Sequence, residues 1–211
     1  MKLRSVPCVV SVADHIGWAH LVCVAAPGDV PAVVARRRVA LVDKGLPTMP
    51  YEHDTSAMTE DGADAIIARV RRSIAARTLD ALQRIVAELA PLHPVVAVVI
   101  RKPPFEALPA TVAVARASYR LLCAADGMLY QLAICHAAKE LGLDVQLYRR
   151  GDEAAWAAQS LRVTRGELEQ FVAGCGRPPG PPWTQDHRRA YAAGIAALAP
   201  HARGRLRIQS R

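Results

Sequence analysis

Two carboxylates stand at positions where a folded chain could use them for metal-dependent chemistry. Asp14 follows an apolar run from Val6 to Ala13, so we expect it at the end of a strand. Asp186 lies in the first turn of the last helical segment, within Trp183-Thr184-Gln185-Asp186-His187. Carboxylate oxygens are preferred ligands of Mg²⁺ and Mn²⁺, and a bound ion activates water for phosphodiester hydrolysis. The pair therefore predicts a nuclease-like site with Asp14 and Asp186 as metal ligands.

Each of these residues also has a purely structural interpretation. Asp14 could hydrogen-bond the backbone of its own turn, and Asp186 could complement the dipole of its helix. His187 is a candidate catalytic residue, as a metal ligand or a proton shuttle beside Asp186. Its alternative is an exposed helix position next to two arginines.

The basic residues favour a polyanionic partner. The chain has a formal net charge of +8, and the segment after Pro200 contains four arginines and no acid. Each phosphate that a cation contacts releases condensed counterions, which favours nucleic-acid binding. The alternative is that the arginines only solvate helix faces. The candidate nucleic-acid-binding residues are Arg101, Lys102, Arg149, Arg150, Arg188, Arg189, Arg203, Arg205 and Arg207.

Length and composition predict one cytoplasmic domain. The 211 residues, 52% of them hydrophobic, are enough for a full core, and we expect one domain over 1–200 with a basic tail over 201–211. The five cysteines form no C-x-x-C pair, which indicates reduced core thiols. The longest apolar tract is interrupted by charges, so we expect no membrane span.

The order of elements predicts a mixed α/β sheet. Three strands joined by short turns should form an antiparallel meander, and a later strand, helix and strand should form a parallel crossover unit. The predicted strands are Leu3–Ala13, His20–Ala26, Val33–Val42, Pro94–Ile100 and Asp144–Tyr148, and the predicted long helices are Asp61–Leu89, Pro109–Leu141 and Thr184–Leu198. We therefore expect a mixed five-stranded sheet with helices on both faces.

This order, together with two short motifs, resembles the ribonuclease H-like fold, and within it the RuvC-type Holliday-junction resolvases. Asp14-His15-Ile16-Gly17-Trp18-Ala19 is similar to the turn after the first strand of that family. Asp186-His187-Arg188-Arg189-Ala190-Tyr191-Ala192 stands where the family has its last helix, which opens with two acids. The resemblance implies a Mg²⁺- or Mn²⁺-dependent endonuclease acting on DNA or RNA.

The chain departs from the family pattern at two acidic positions. Arg101 stands where the family has an acid at the end of the fourth strand, and Arg189 replaces the later acid of the last helix. Glu106, a few residues past that strand, is the candidate substitute catalytic acid. Arg101 could either cancel the charge of the site or hold a phosphate where a metal would be.

Two classes of function therefore remain open. The first is a metal-dependent endonuclease that uses Asp14 and Asp186. The second is a catalytically inactive protein of the same fold that binds nucleic acid or a partner protein, as a homodimer or as a subunit of a larger assembly.

Overall fold

One mixed sheet of five strands forms the centre of the molecule. The structure, a computed structural model, describes residues 5–175, 180, 182–202, 204 and 206–208. The strands are β1 (Cys8–His15), β2 (Trp18–Ala25), β3 (Ala32–Ala40), β4 (Val95–Arg101) and β5 (Asp144–Tyr148). Their spatial order is β3-β2-β1-β4-β5. β1 to β3 pair antiparallel, while β4 is parallel to both β1 and β5. The predicted mixed sheet is confirmed.

The sheet brings distant parts of the sequence together at one edge. Val12 pairs with Ile100, so β1 and β4 are neighbours, and β5 pairs with β4 up to Tyr148. The parallel strands β1, β4 and β5 therefore end on the same side, which we call the carboxyl edge. Ligands in open α/β sheets bind outside this edge. The strands end here with Asp14 and His15 of β1, Arg101 of β4 and Tyr148 of β5.

Helices cover both faces of the sheet. One face packs against α1 (Glu60–Leu89), α2 (Val112–Arg116) and α3 (Tyr119–Glu140). The other packs against α4 (Glu153–Leu161), α5 (Arg165–Gly174) and α6 (Gln185–Leu198), which a short 3-10 turn (Ala199–His201) follows. Both faces of β1 and β4 are thus buried, as the uninterrupted β-branched run of β4 predicts.

The single helix predicted over Pro109–Leu141 is wrong, because the structure divides it into α2 and α3. Thr111 caps α2 and Ser118 caps α3, each accepting a hydrogen bond from the backbone N–H three residues on. A serine or threonine at such a position competes with helix continuation by satisfying the first free N–H groups of a new helix. By length and composition alone α3 could cross a membrane, but 56% of its most apolar window is buried inside the structure.

α6 packs unusually close to the sheet because small residues face it. Ala190, Ala193 and Ala197 are buried, as their spacing indicates, and Gly194 is buried beside them. A Cβ atom on Gly194 would lie 2.5 Å from Val24 Cγ2. This close packing places the first turn of α6 beside the carboxyl edge.

A buried carboxylate on α3 holds the long irregular connection between β3 and α1. The two oxygens of Asp126 accept hydrogen bonds from the backbone N–H groups of Tyr51 and Glu52, and the Tyr130 hydroxyl donates to the Thr48 carbonyl. Burial raises the pKa of Asp126 to about 6, although those two hydrogen bonds act in the opposite direction.

Candidate nucleic-acid-binding cleft

A cleft of about 260 Å³ opens at the carboxyl edge. Strand ends contribute Asp14, His15, Arg101 and Tyr148, the α4 segment contributes Arg150 and Glu153, and α6 contributes Asp186 and Arg189. Both predicted metal ligands thus line one cleft. Three acids and three arginines share it, so its charge is balanced.

Asp14 is fully engaged by two side chains. Arg101 Nε donates to Oδ1 at 2.9 Å and to Oδ2 at 3.0 Å, while Arg101 Nη2 donates to Oδ2 at 2.8 Å. Gln131 Nε2, from α3, also donates to Oδ2 at 2.9 Å. The Asp14 side chain is only 4% exposed. Both carboxylate oxygens therefore accept hydrogen bonds from protein donors.

The pairing stabilises the charged form of Arg101. Partial burial lowers the pKa of this guanidinium, but the hydrogen bonds to Asp14 and its negative charge outweigh burial and raise the pKa. Two-point guanidinium–carboxylate contacts combine charge with fixed geometry and are among the stronger polar contacts in proteins. Arg101 thus compensates the charge of Asp14, the first of the two alternatives that the sequence leaves open for it.

Asp186 approaches the strand end from the other side of the sheet. Successive strand residues point to opposite faces, so Asp14 turns toward α3 and His15 toward α6. Asp186 Oδ2 lies 3.4 Å from His15 Nε2. This is ion-pair distance without hydrogen-bond alignment, and His15 Nε2 has no hydrogen-bond partner within the described ranges. The two acids are thus held by different partners in different layers.

The third acid of the cleft, Glu153, is buried and also has a hydrogen-bond partner. It is 4% exposed and accepts a hydrogen bond from the Gly151 N–H. Among the described residues no group of three or more His, Cys, Asp and Glu side chains could hold a metal ion. Divalent ions at phosphoryl-transfer sites need several free carboxylate oxygens. The donor set present here therefore does not fit a divalent ion.

His187 is a buried capping residue, so its interpretation as an exposed helix residue is wrong. It is 1% exposed, and its Nδ1 accepts a hydrogen bond from the Thr184 N–H at the start of α6. Its ring lies 4.1 Å from that of His20, between centroids. Burial first, and then the nearby charges of His20 and Arg36, lower the pKa of His187 to about 4. His187 does not line the cleft.

Exposed cations surround the cleft. Lys102 follows β4, Arg149 and Arg150 follow β5, and Arg188 stands in the first turn of α6; all four are exposed. We call these four residues the basic rim. Arg150 also lines the cleft itself, as does Arg189, which is half-buried.

Other candidate residues lie away from the cleft. Glu106 is exposed in the connection between β4 and α2 and does not line it. The Arg207 N–H donates to the carbonyl of Asp29, in the β2–β3 turn at the opposite edge of the sheet. Arg203 and Arg205 lie outside the described residues.

The sequence analysis did not identify Gln131, which donates a hydrogen bond to Asp14, or Glu153, which adds a third acid to the cleft. Gln131 is a polar residue in the apolar stretch of α3, and a buried amide in such a stretch usually has a specific partner. That signal was present in the sequence, but it did not identify Asp14 as the partner. Glu153 carries no comparable signal, because an acid in a first helical turn is common.

Comparison with solved structures identifies the fold. No family model matches the chain, and no curated protein matches it. T. thermophilus RuvC in complex with a Holliday junction substrate is 18% identical, with a TM-score of 0.52 over 92% of this chain and 94% of that chain. Another Thermus thermophilus RuvC structure is 16% identical, with a TM-score of 0.48 over 96% of this chain and 99% of that chain. The chain has a ribonuclease H-like fold of the RuvC type.

Proposed function

We propose that this chain is a nucleic-acid-binding protein of the RuvC-type fold whose cleft does not hydrolyse phosphodiester bonds. The Arg101–Asp14 pair is the observation that carries the proposal. Arg101 donates to both oxygens of the first-strand carboxylate and compensates its charge, and Gln131 adds a further donor. Because the Asp14 side chain is also only 4% exposed, a metal ion would have to displace these donors to bind it.

The resemblance to the resolvases strengthens this argument. The two positions where the resembled family has further acids hold Arg101 and Arg189 in this chain. Both arginines line the cleft, so each missing negative charge is replaced by a positive one. Such a site favours a phosphate group over a divalent cation.

The basic rim supports binding through the nucleic-acid backbone. Its four exposed cations are Lys102, Arg149, Arg150 and Arg188, and Arg150 is also one of the three arginines that balance the acids of the cleft. Phosphate contacts from such cations position a strand without selecting its sequence. We expect binding of DNA or RNA with a strong dependence on salt.

A Mg²⁺- or Mn²⁺-dependent endonuclease is the second candidate. One observation favours it: Asp14 and Asp186 line the same cleft. For this function Arg101 would have to leave Asp14 before an ion could bind.

The test combines binding and cleavage on labelled four-way junction, duplex and single-stranded probes. Fluorescence anisotropy over a salt series measures the dissociation constant and its slope. Arg150→Gln and Arg188→Gln should each weaken binding to all probes, and the salt slope should fall by about 1 for each phosphate that the variant no longer neutralises. Arg84→Gln is the control, because Arg84 is an exposed arginine on α1 outside the rim.

Three outcomes decide between the candidates. Salt-dependent binding with no cleavage in Mg²⁺ or Mn²⁺ supports the proposal. Cleavage that Asp14→Asn abolishes establishes the endonuclease instead. Absence of salt-dependent binding rejects a nucleic-acid function, leaving a protein-interaction role.

A further inference from the structure

Three side chains with planar groups pack together next to the cleft, one from each of β1, β2 and β3. His15 and Trp18 are register partners, and their rings are stacked with centroids 3.9 Å apart and planes inclined by 6°. Arg38 on β3 places its Cζ 4.2 Å from the Trp18 ring centroid. Because β1 and β3 flank β2 on opposite sides, His15 and Arg38 approach the indole of Trp18 from opposite sides. We call these three residues the planar stack.

The planar stack extends from the cleft to β3, the outermost strand on one side of the sheet. His15 lines the cleft beside Asp186, whereas Arg38 is exposed on β3, which is an edge strand. Trp18 lies between them and is half-buried. A nucleic-acid strand that leaves the cleft toward β3 would therefore pass the half-buried Trp18 and reach the exposed Arg38.

Two further imidazole rings, those of His20 and His187, pack next to the planar stack. Trp18 contacts His20 edge-on with centroids 4.9 Å apart, and His20 in turn contacts the buried His187. Burial, together with the charges of His15 and Arg38, lowers the pKa of His20. The base of the stack is therefore uncharged near neutral pH, and Arg38 carries the positive charge of its outer face.

We infer that the planar stack binds an unpaired nucleobase, so that the nucleic acid is single-stranded where it leaves the cleft toward β3. This inference rests on the proposed nucleic-acid function and specifies its substrate class. Unpaired bases stack on aromatic rings and on guanidinium planes, while paired bases in a duplex are not available for such stacking. The exposed guanidinium of Arg38 lies over the indole, with its Cζ 4.2 Å from the ring centroid, and is the planar group on which we infer that a base lies.

The chemistry of Arg38 distinguishes this role from ordinary phosphate binding. Lysine keeps the charge of a phosphate contact but can weaken a two-point contact, and either effect would be the same on an intact and on an abasic oligonucleotide, because both keep every phosphate. A stacked base needs the plane of the guanidinium, which lysine lacks. Arg38→Lys therefore separates the two roles while keeping the charge.

The experiment is an abasic scan with the intact protein. A short single-stranded oligonucleotide of mixed bases is compared with versions in which one base at a time is replaced by a tetrahydrofuran abasic unit, which leaves every phosphate in place. For the wild-type protein we expect a loss of affinity on the order of tenfold at one position. Arg38→Lys should weaken binding of the intact oligonucleotide, leave binding of that abasic version unchanged and so remove the difference.

Two further variants sharpen the test. Trp18→Phe keeps an aromatic plane with a smaller area and should retain part of the difference. Arg84→Lys makes the same exchange at an exposed site on α1 and should retain all of it. Thermal unfolding of each variant checks that the fold is intact, and the scan on the wild-type protein needs no variant at all.

The outcomes separate this inference from the function on which it rests. Salt-dependent binding that is insensitive to every abasic position overturns the planar stack as a base-binding site and leaves the proposed function standing. A position-specific decrease in affinity that persists in Arg38→Lys places the base on another surface and also overturns the inference. Absence of salt-dependent binding to any oligonucleotide rejects the proposed function itself.

Discussion

Replacing Arg101 with methionine should destabilise the protein because it leaves a buried carboxylate without its main partner. Asp14 is 4% exposed and would keep only the hydrogen bond from Gln131. Removing one member of a buried ion pair costs about 3–5 kcal/mol. Since Arg101 itself is 30% exposed and Gln131 remains, we expect the low end, about 3 kcal/mol. For a chain of this length that corresponds to a decrease in Tm of roughly 6–12 °C.

A double-mutant cycle identifies the cause of that destabilisation. Asp14→Asn alone should cost about 1 kcal/mol, because Arg101 can turn toward solvent. The double variant Asp14→Asn/Arg101→Met leaves no unpaired charge, so it should be less destabilised than Arg101→Met alone. The resulting coupling energy should be about 2–3 kcal/mol. Denaturant unfolding monitored by circular dichroism measures all four proteins.

A surface pair supplies the matched control. Arg84 pairs with Asp80 on α1, and both side chains are largely exposed, at 77% and 44%. Arg84→Met should therefore change the free energy of unfolding by less than about 0.5 kcal/mol. If Arg101→Met behaves like Arg84→Met, or if the double variant is as unstable as Arg101→Met, Asp14 does not depend on the arginine and the argument from the pair is refuted.

Three further predictions concern packing and pH. Gly194→Ala should lower the free energy of unfolding by about 1–3 kcal/mol because its Cβ would meet Val24 Cγ2; adding Val24→Ala should recover part of the stability, and a neutral Gly194→Ala would contradict the packing. The pKa of Asp126 rises to about 6 in the folded state, so ionisation of this residue should destabilise the protein progressively as pH rises from about 4 to about 6. The free energy of unfolding of Asp126→Asn should lack this decrease between pH ~4 and pH ~6. Equal pH profiles of the free energy of unfolding for Asp126→Asn and the wild type would refute the prediction. The pKa of His187 falls to about 4 in the folded state. The neutral imidazole therefore contributes fully to the free energy of unfolding above pH ~6.5, and this contribution is lost as pH falls through about 4. His187→Gln should reduce that pH dependence, and an imidazole already protonated at pH ~5 by NMR would exclude the shift.

The sequence alone determined most of the sheet and the position of the acids. Strand identity depends on local alternation and on runs of β-branched residues, both of which are visible in β1 and β4. The short turns between β1, β2 and β3 left only an antiparallel meander. Asp14 at a strand end and Asp186 in a first helical turn follow from the same local patterns.

Helix boundaries in the second long apolar region needed the tertiary structure. The periodicity over Pro109–Leu141 is nearly continuous, and Ser118 is a weak signal within it. Only the packing of α2 against α1 and α3 favours a new helix start there. Hydrophobic periodicity indicates which residues are buried, but not where the chain changes direction between two buried segments.

Only the tertiary structure decided which hydrogen-bond partners the charged side chains of the cleft have. The resemblance to the resolvases implies that Arg101 stands where that family has an acid, but it leaves two roles open for Arg101. The hydrogen bonds that Asp14 accepts come from Arg101 and Gln131, which are 87 and 117 positions away along the chain. A side chain of that length and charge can pair with a neighbour or extend to a ligand, and the choice depends on which groups lie within about 3 Å in the folded protein. Local sequence patterns contain no such information, because the β1–β4 pairing and the packing of α3 create those distances.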